Sequence, residues 1–468
     1  MITTTISLTD FRKSLRDFGT DSSACVTKAK PDHLPMFERT DRSFKKFKIE
    51  RTGEYFYYCN YDNGIYDADK NPISEVTLPT PEWEAVTDEV RRTLGKSNQP
   101  HWIRILLGHA CNYSCGYCLQ KDIGNPDERA KITTTDRFIE QMSKLDLSLV
   151  TKIDLWGGEP FLYWKSIVPI IEAFDRPGLT WFLSTNGTPL QMKHIEFFSK
   201  LKGDVELGIS HDGPEHERLR GEEFLHKKVD VLRAIQQSRN IRFGFNCVLT
   251  KTNFDLFKIN KFFHDFLVSN NLDTNKMGIG WILGRNHDYE NQLNSATHVI
   301  DKSTLDDFRN TLNSYMVAGI EQFIDQSKNH NLLKNSLFTG NMGVMPYMQT
   351  LKKQILPTIT TACGVDDSRV LSLDMMGNVR VCPHTDESYI SGHIEDLPNV
   401  RLQKLDFDRY EKHCGSCEVF RLCKSNCPIE VPNAVFYSNC MLEKVWHGAV
   451  QNAAFCVMFK SNVSKVEE

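Results

Sequence analysis

The chain has no long apolar run. Nothing in its 468 residues approaches the ~20 consecutive apolar positions that a bilayer-crossing helix requires. Its start, "MITTTISLTDFRKSLRDFG", lacks the apolar stretch of a secretory signal. A block of one charge is missing too: Lys and Arg number 56 against 60 Asp and Glu, and the basic residues are scattered. A nucleic-acid partner would call for a concentrated basic face, so none is expected, and neither is a membrane. The expectation is a cytoplasmic protein. Internal repeats and low-complexity tracts are also absent. Cysteine, in contrast, is plentiful at 14 residues, and in a reducing compartment that number favours metal ligation over cross-linking. Cys25, Cys59, Cys247 and Cys456 stand alone and read as buried apolar filler.

A chain this long exceeds one ordinary core, so two or three units are expected. Residues 1–34 are polar and unpatterned and read as a flexible arm. In 35–100, short β-prone runs broken by "TG" and "DNG" predict a hairpin or three-stranded meander, and "TPEWEAVTDEVRRTL" predicts a helix after it. From 101 to 290 strand and helix patterns alternate. Strands are expected at 102–107, 151–156, 179–185, 204–210, 241–250 and 276–283, and "TTTDRFIEQMSKL" and "FDLFKINKFFHDFLVS" read as helices. Six such units make a parallel sheet with helices outside, closing as an open or partial barrel. Residues 291–361 form a mostly helical bridge, and 362–468 hold the second cysteine group.

Active sites of parallel α/β folds gather at the C-terminal strand ends. The first strand runs into "CNYSCGYC", with Cys111, Cys115 and Cys118; the second into "WGGEPF", where glycines admit a ligand close to the backbone and Glu159 adds a carboxylate. The third ends in "STNGT" and the fourth in "SHDGP". On residues alone, a structural zinc site is the alternative for the three thiols, a helix-start carboxylate for Glu159, and turn or cap chemistry for Ser184 and Ser210.

"CNYSCGYC" resembles the C-x3-C-x2-C signature of radical S-adenosylmethionine (SAM) enzymes, including the aromatic residue, here Tyr117, before the last cysteine. The resemblance implies a 4Fe-4S cluster on Cys111, Cys115 and Cys118 whose open iron binds SAM, and reductive cleavage of SAM to a 5'-deoxyadenosyl radical that abstracts hydrogen from substrate. "GGEP" is similar to the family's second signature, which implies SAM contacts at Gly157, Gly158 and Glu159. The resemblance likewise implies ribose and methionine contacts at Ser184, Asn186, Ser210 and Asp212. From "HERLRG" it implies a SAM-carboxylate contact at Arg220. It also implies a reducing electron donor such as a flavodoxin or ferredoxin.

The second cysteine group reads Cys363, Gly377, Cys382, then "CGSCEVFRLCKSNC", then Cys440. Taken alone, it suits a zinc knuckle or ribbon. Its order resembles the SPASM extension behind some radical SAM domains, which holds two auxiliary 4Fe-4S clusters. By that resemblance Cys414, Cys417, Cys423 and Cys440 hold one cluster, and Cys363, Cys382 and Cys427 hold the other, whose fourth position is an open iron, a substrate ligand or a ligand from elsewhere in the chain. His384 and Asp386 in "CPHTD" are candidates for proton acceptor during substrate oxidation, with surface or outer-shell roles as the alternative. SPASM enzymes of similar outline modify peptides or proteins, so the expected partner is a ribosomally made precursor peptide. The expected chemistry is an oxidative side-chain cross-link through a carbon-carbon, ether or thioether bond. The segment before the barrel would then grip a leader by strand addition at 45–60, or simply brace the barrel. A formylglycine-type maturase and a small-molecule dehydrogenase are the alternatives.

Overall fold

The computed structural model describes residues 44–60, 62–73, 95–120, 123, 132–284, 299–324, 329–340, 343–353, 363–402, 405, 414, 416–424, 427–429 and 433–466. The expected arm at 1–34 and the helix after residue 80 lie outside the described residues. The chain divides into two units, one drawn from Met1–Val90, Lys302–Ala362 and Leu405–Glu468, the other from Arg91–Asp301 and Cys363–Lys404.

In the first unit β1 (Phe44–Ile49), β2 (Tyr55–Cys59) and β3 (Gly64–Tyr66) form the antiparallel meander that the turn residues predict. The last strand, Val463–Lys465, pairs with β1 from Phe47 opposite Lys465 to Ile49 opposite Val463. The β1 edge is therefore occupied over those residues, and strand addition at 45–60 finds no free edge there. The sheet packs on the 27-residue helix Asn433–Phe459. Phe47 stacks on Phe56 at 5.4 Å, and Phe455 meets both edge-on at 5.0 and 5.2 Å. Burying each such ring contributes about 1.5–3 kcal/mol. Helices Leu305–Ile324 and Val344–Lys353 fall in the region expected to be helical.

The second unit carries β4 (Trp102–Leu106), β5 (Lys152–Trp156), β6 (Thr180–Thr185), β7 (Asp204–Ser210), β8 (Ile241–Leu249) and β9 (Met277–Leu283), all parallel and adjacent in chain order. These are the six strands expected, each within a residue or so of its predicted bounds. Helices Ile132–Met142 and Leu256–Ser269 also form where the periodicity places them. The α/β fold with a parallel sheet is thus as expected, and it goes further: Val370–Asp374, in the cysteine-rich part of the sequence, joins the open side of β4 in parallel, Val370 opposite Trp102 and Asp374 opposite Leu106. Asn378–Arg380 and Ile390–His393 follow antiparallel.

Strand alternation sorts the side chains. Ile153, Leu155, Trp181, Leu183, Val205, Leu207 and Ile209 are buried on one face. The inner face carries a register row of Arg104, Asp154, Phe182 and Glu206, and one row higher Ser184, Gly208, Gly244 and Gly278. That higher row leads to the C-terminal strand ends, where the signature loops sit.

Candidate functional site

The cysteine loop is fastened to the Gly157–Gly158–Glu159 loop by backbone. Leu107 N–H donates to Trp156 O at 2.8 Å, Gly158 N–H to Gly108 O at 3.0 Å, and Glu159 N–H to Ala110 O at 2.8 Å. This continues the β4–β5 ladder past its last residues. Gly158 must be glycine: a Cβ there would stand 2.4 Å from His109 O and 2.5 Å from Ala110 O. Tyr163, from the turn after Glu159, receives the Ala110 N–H on its hydroxyl at 2.7 Å.

Glu159 is fully buried. It accepts from Phe161 N–H at 3.1 Å, Thr185 Oγ1 at 2.7 Å and Asn186 N–H at 2.7 Å, tying the end of β6 to the loop after β5. Burial pushes its carboxyl up to about 7 against those three donors. Asn186 in turn reaches the cysteine loop, donating from Nδ2 to Asn112 Oδ1 at 2.8 Å and to Cys111 Sγ at 3.9 Å. One carboxylate and one amide therefore bind three signature loops together.

Backbone amides also point at sulfur, Tyr113 N–H to Cys111 Sγ and Gln120 N–H to Cys118 Sγ, each at 3.4 Å. Burial pushes the Cys115 thiol up to about 11, with Arg220 opposing and the charges of Cys118 and Cys111 adding. Burial raises Cys111 as well, with Glu159 and Cys118 contributing. Three thiols that penalise one another's ionisation are relieved by a shared cation, and amide donors to sulfur suit thiolate ligands, so the trio fits an iron-sulfur cluster.

Tyr117, Asp212 and Arg220 come together. Asp212 is fully buried; it accepts from Tyr117 Oη and from Val248 N–H (2.9 Å), and pairs with Arg220 Nε at 3.0 Å. The Arg220 guanidinium also lies 5.3 Å from the Tyr117 ring centre. These polar groups are thus largely spent on one another, bracing the cysteine loop against the β7 end. Ser184 and Ser210 sit half-buried on the inner face, and neither hydroxyl has a hydrogen-bond partner among the described residues.

Cys363 and Cys382 belong to this unit, Cys427 to the other. Arg104, on the inner face of β4, donates to Cys363 O. His384 N–H approaches Cys382 Sγ at 3.5 Å, and its ring stands edge-on to Trp156 at 5.1 Å, next to Gly157. Gln120, two residues past Cys118, donates to Pro383 O at 3.1 Å. His384 Nδ1 is buried with no hydrogen bond among the described residues, and burial holds the ring down to about 4, so it is neutral at physiological pH. Asp386 lies exposed and caps the turn Glu387–Tyr389 by accepting from Ser388 N–H at 2.7 Å.

In the other unit Cys414, Cys417, Cys423 and Cys440 gather. Burial first, then Glu443 and the charges of Cys417, Cys414 and Cys440, raise the Cys423 thiol well above its ordinary value. Cys417 is pushed up to about 11 by burial and by Glu418. Asn60, at the end of β2, donates to Cys417 O at 2.8 Å and accepts from Arg421 Nε at 2.9 Å, anchoring the loop to the meander.

Several participants are absent from the motif reading. Thr185 adjoins Ser184 but faces the opposite side, and strand alternation alone separates their roles. His211 sits inside the quoted "SHDGP"; Gly213 N–H donates to its Nδ1 at 3.0 Å, so Nε2 carries the proton toward Glu223 at 2.8 Å. Its ring stacks on His216 at 3.9 Å, closing the loop that carries Asp212 and Arg220. Asp154 and Arg104, 3.8 Å apart on the inner face, gave no sequence signal beyond a charge within an apolar strand.

Residues 105–258, which include the strand ends bearing the three thiols and the glycine-lined loop, match the sequence model described as the Radical SAM superfamily. Among individual proteins, the chain is 21% identical over 350 residues to the radical SAM cyclopropyl synthase TigE of Paramaledivibacter caminithermalis, covering 69% of this chain and 67% of that one. It is 29% identical over 160 residues to the GTP 3',8-cyclase of Tolumonas auensis, covering 34% of this chain and 47% of the relative, so it spans about half of that protein. Of solved structures, anSMEcpe with bound AdoMet is similar in fold, with a TM-score of 0.54 at 16% identity over 76% of this chain and 95% of that one. Native anSMEcpe with bound AdoMet and Kp18Cys peptide gives the same TM-score over 76% and 99%. Among the described residues no helix is long and apolar enough to cross a membrane.

Proposed function

We propose that the chain is a SPASM-type radical SAM enzyme that oxidatively modifies a ribosomally made peptide by forming a side-chain cross-link. The observation that carries this reading is the seating of the two cysteine groups. The loop of Cys111, Cys115 and Cys118 meets a buried Glu159–Asn186 brace through Cys111, and Cys414, Cys417, Cys423 and Cys440 form a separate group, Cys414 buried and the other three partly so. A relative that synthesises cyclopropyl groups and a fold-mate solved with a bound peptide agree with it.

On this reading Cys111, Cys115 and Cys118 hold the SAM-binding 4Fe-4S cluster, and the second group holds two auxiliary ones. Bound together, the first cluster and SAM supply a 5'-deoxyadenosyl radical that takes hydrogen from the substrate. The residues of the chain orient and shield. The backbone of Gly157 and Gly158 borders the segment leading into the cysteine loop, and the hydroxyls of Ser184 and Ser210, without partners among the described residues, offer contacts on the inner face. Glu159 acts through the backbone it holds, and the Tyr117–Asp212–Arg220 brace keeps the cysteine loop closed. Neutral His384, whose Nδ1 has no partner among the described residues and whose ring meets Trp156 at the end of β5, accepts the proton released as substrate is oxidised. Asp386, as an exposed cap, is the weaker candidate. A leader adding as a strand would use an outer edge of the sheet, Val463–Lys465 or β3, since β1 and β2 are paired on both sides.

The test is to incubate anaerobically reconstituted, reduced enzyme and SAM with peptides encoded beside its gene, and to record peptide mass. Loss of two hydrogens or a multiple supports the reading. SAM cleavage with unchanged peptides would refute peptide modification and turn the search to folded proteins or small molecules.

A further inference from the structure

The helix Asn433–Phe459 presents a buried polar stripe. Cys440, Glu443 and His447 recur at intervals of three and four residues and so share one face. Glu443 is 3% exposed and His447 1%. Facing them is Cys423, at the end of the short helix Phe420–Cys423, where the chain turns away through left-handed Lys424. The Cys423 sulfur, a Glu443 oxygen and a His447 nitrogen all lie within 4.8 Å of one another, the only such group of three among the described residues.

We propose that Cys423, Glu443 and His447 form a binding site for one divalent transition-metal ion, available whenever no cluster occupies Cys423.

Three independent features argue for it. Spacing is the first: donors around a single ion, with bonds of about 2.0–2.3 Å, stand no more than about 4.6 Å apart. The thiols expected to hold clusters do not form so tight a group among the described residues. Charge is the second. The buried Glu443 carboxylate lies beside the Cys423 sulfur, and a cation between these two anionic donors offsets their repulsion. The third is an orphan: His447 bonds Glu443 Oε2 at 3.0 Å through Nε2, yet its Nδ1 is buried with no partner among the described residues. Residues at i and i+4 on a helix are neighbours on one face, so the Glu443 carboxylate and the His447 imidazole can meet one ion. The mixture of sulfur, nitrogen and oxygen selects Zn2+, Fe2+ or Co2+ over Ca2+ or Mg2+, which take oxygen.

The site shares Cys423 with the auxiliary cluster proposed above but does not depend on that cluster. The full-length protein, stripped of iron anaerobically with a chelator, is titrated with Co2+. Wild type should bind one equivalent more than His447→Gln or Glu443→Gln, both of which preserve side-chain volume and helix. Cys423→Ala should lose that equivalent together with its share of the sulfur-to-cobalt charge transfer, whereas Cys414→Ala and Cys417→Ala should keep it. Should either glutamine variant lose its helical circular dichroism, pulsed EPR of the wild-type Co2+ form decides, and nitrogen coupling from an imidazole is required. Equal Co2+ stoichiometry in wild type and both glutamine variants, or loss on removing Cys414 and Cys417, overturns the proposal. Reconstitution with iron and sulfide then separates the two readings: displacement of this Co2+ by a cluster agrees with both, and Co2+ retained with no auxiliary cluster formed refutes the cluster reading alone.

Discussion

Glu159→Gln tests how the signature loops are held. The carboxyl sits at about 7 in the folded chain against 4.5 when unfolded. Below pH 4.5 both states are protonated and the group adds no pH dependence. Between 4.5 and 7 the unfolded chain gives up its proton while the folded chain keeps it, so stability falls as pH rises. Above 7 the whole shift is felt, about 2.5 pH units or about 3 kcal/mol. Glutamine does not titrate, so it escapes that loss. It does turn an amine toward one of three donors, Phe161 N–H, Thr185 Oγ1 or Asn186 N–H, and so leaves a donor unsatisfied. That costs about 1–3 kcal/mol at every pH. Wild type should therefore be the more stable form near pH 4.5 and close to parity with the variant near 7.5. Urea unfolding of cluster-free protein, followed by far-ultraviolet circular dichroism across that range, measures the difference. A difference that does not change with pH would refute the reasoning, because it would mean that Glu159 is solvated or already charged in the folded state.

Three further outcomes follow from the same geometry. Arg220→Met leaves Asp212 buried beside Tyr117 without its cation and should cost about 3–5 kcal/mol, with Asp212→Asn in the same chain recovering part of it in thermal melts. Gly158→Ala drives a Cβ into the carbonyls of His109 and Ala110, which cannot step aside as a side chain can; stability should drop by at least about 1–3 kcal/mol, and iron retained by the first cysteine group should fall, read by iron analysis of a variant lacking Cys363, Cys382, Cys414 and Cys417. His384→Gln should leave 5'-deoxyadenosine release intact and depress finished product. Because His384 is held near 4, wild-type product formation should show no loss from its protonation between pH 5.5 and 8 in a pH–rate profile.

The parallel strands were legible because each is a short apolar run bounded by turn residues, and β7 and β9 lie within a residue of the bounds read from "DVELGIS" and "KMGIGWIL". The signature loops were legible for a related reason: a spacing such as C-x3-C-x2-C reflects local geometry, which neighbouring residues set on their own. Pairings between distant segments carry no such local signal. Val370–Asp374 joining β4, and Val463–Lys465 closing β1 across more than 400 residues, depend on which edges remain open once everything else has packed.

Side-chain duties divide along the same line. That Cys111, Cys115 and Cys118 would cluster, and that a glycine-rich loop would follow the next strand, is written in adjacent residues. Whether a polar residue meets a ligand or its own protein depends on burial and on neighbours brought from far away. Glu159 and Asp212 read as ligand contacts in the sequence and are engaged internally by Asn186 and Arg220 in the fold. Asp386, equivalent to His384 on paper, caps a surface turn. Glu443 and His447 were invisible beside seven cysteines, because only the packing of the last helix against Cys423 turns an ordinary helical spacing into three converging donors. Local pattern decides which residues share a strand or a loop, whereas the tertiary structure alone decides which charges are taken out of water together, and it is that desolvation that gives them chemistry.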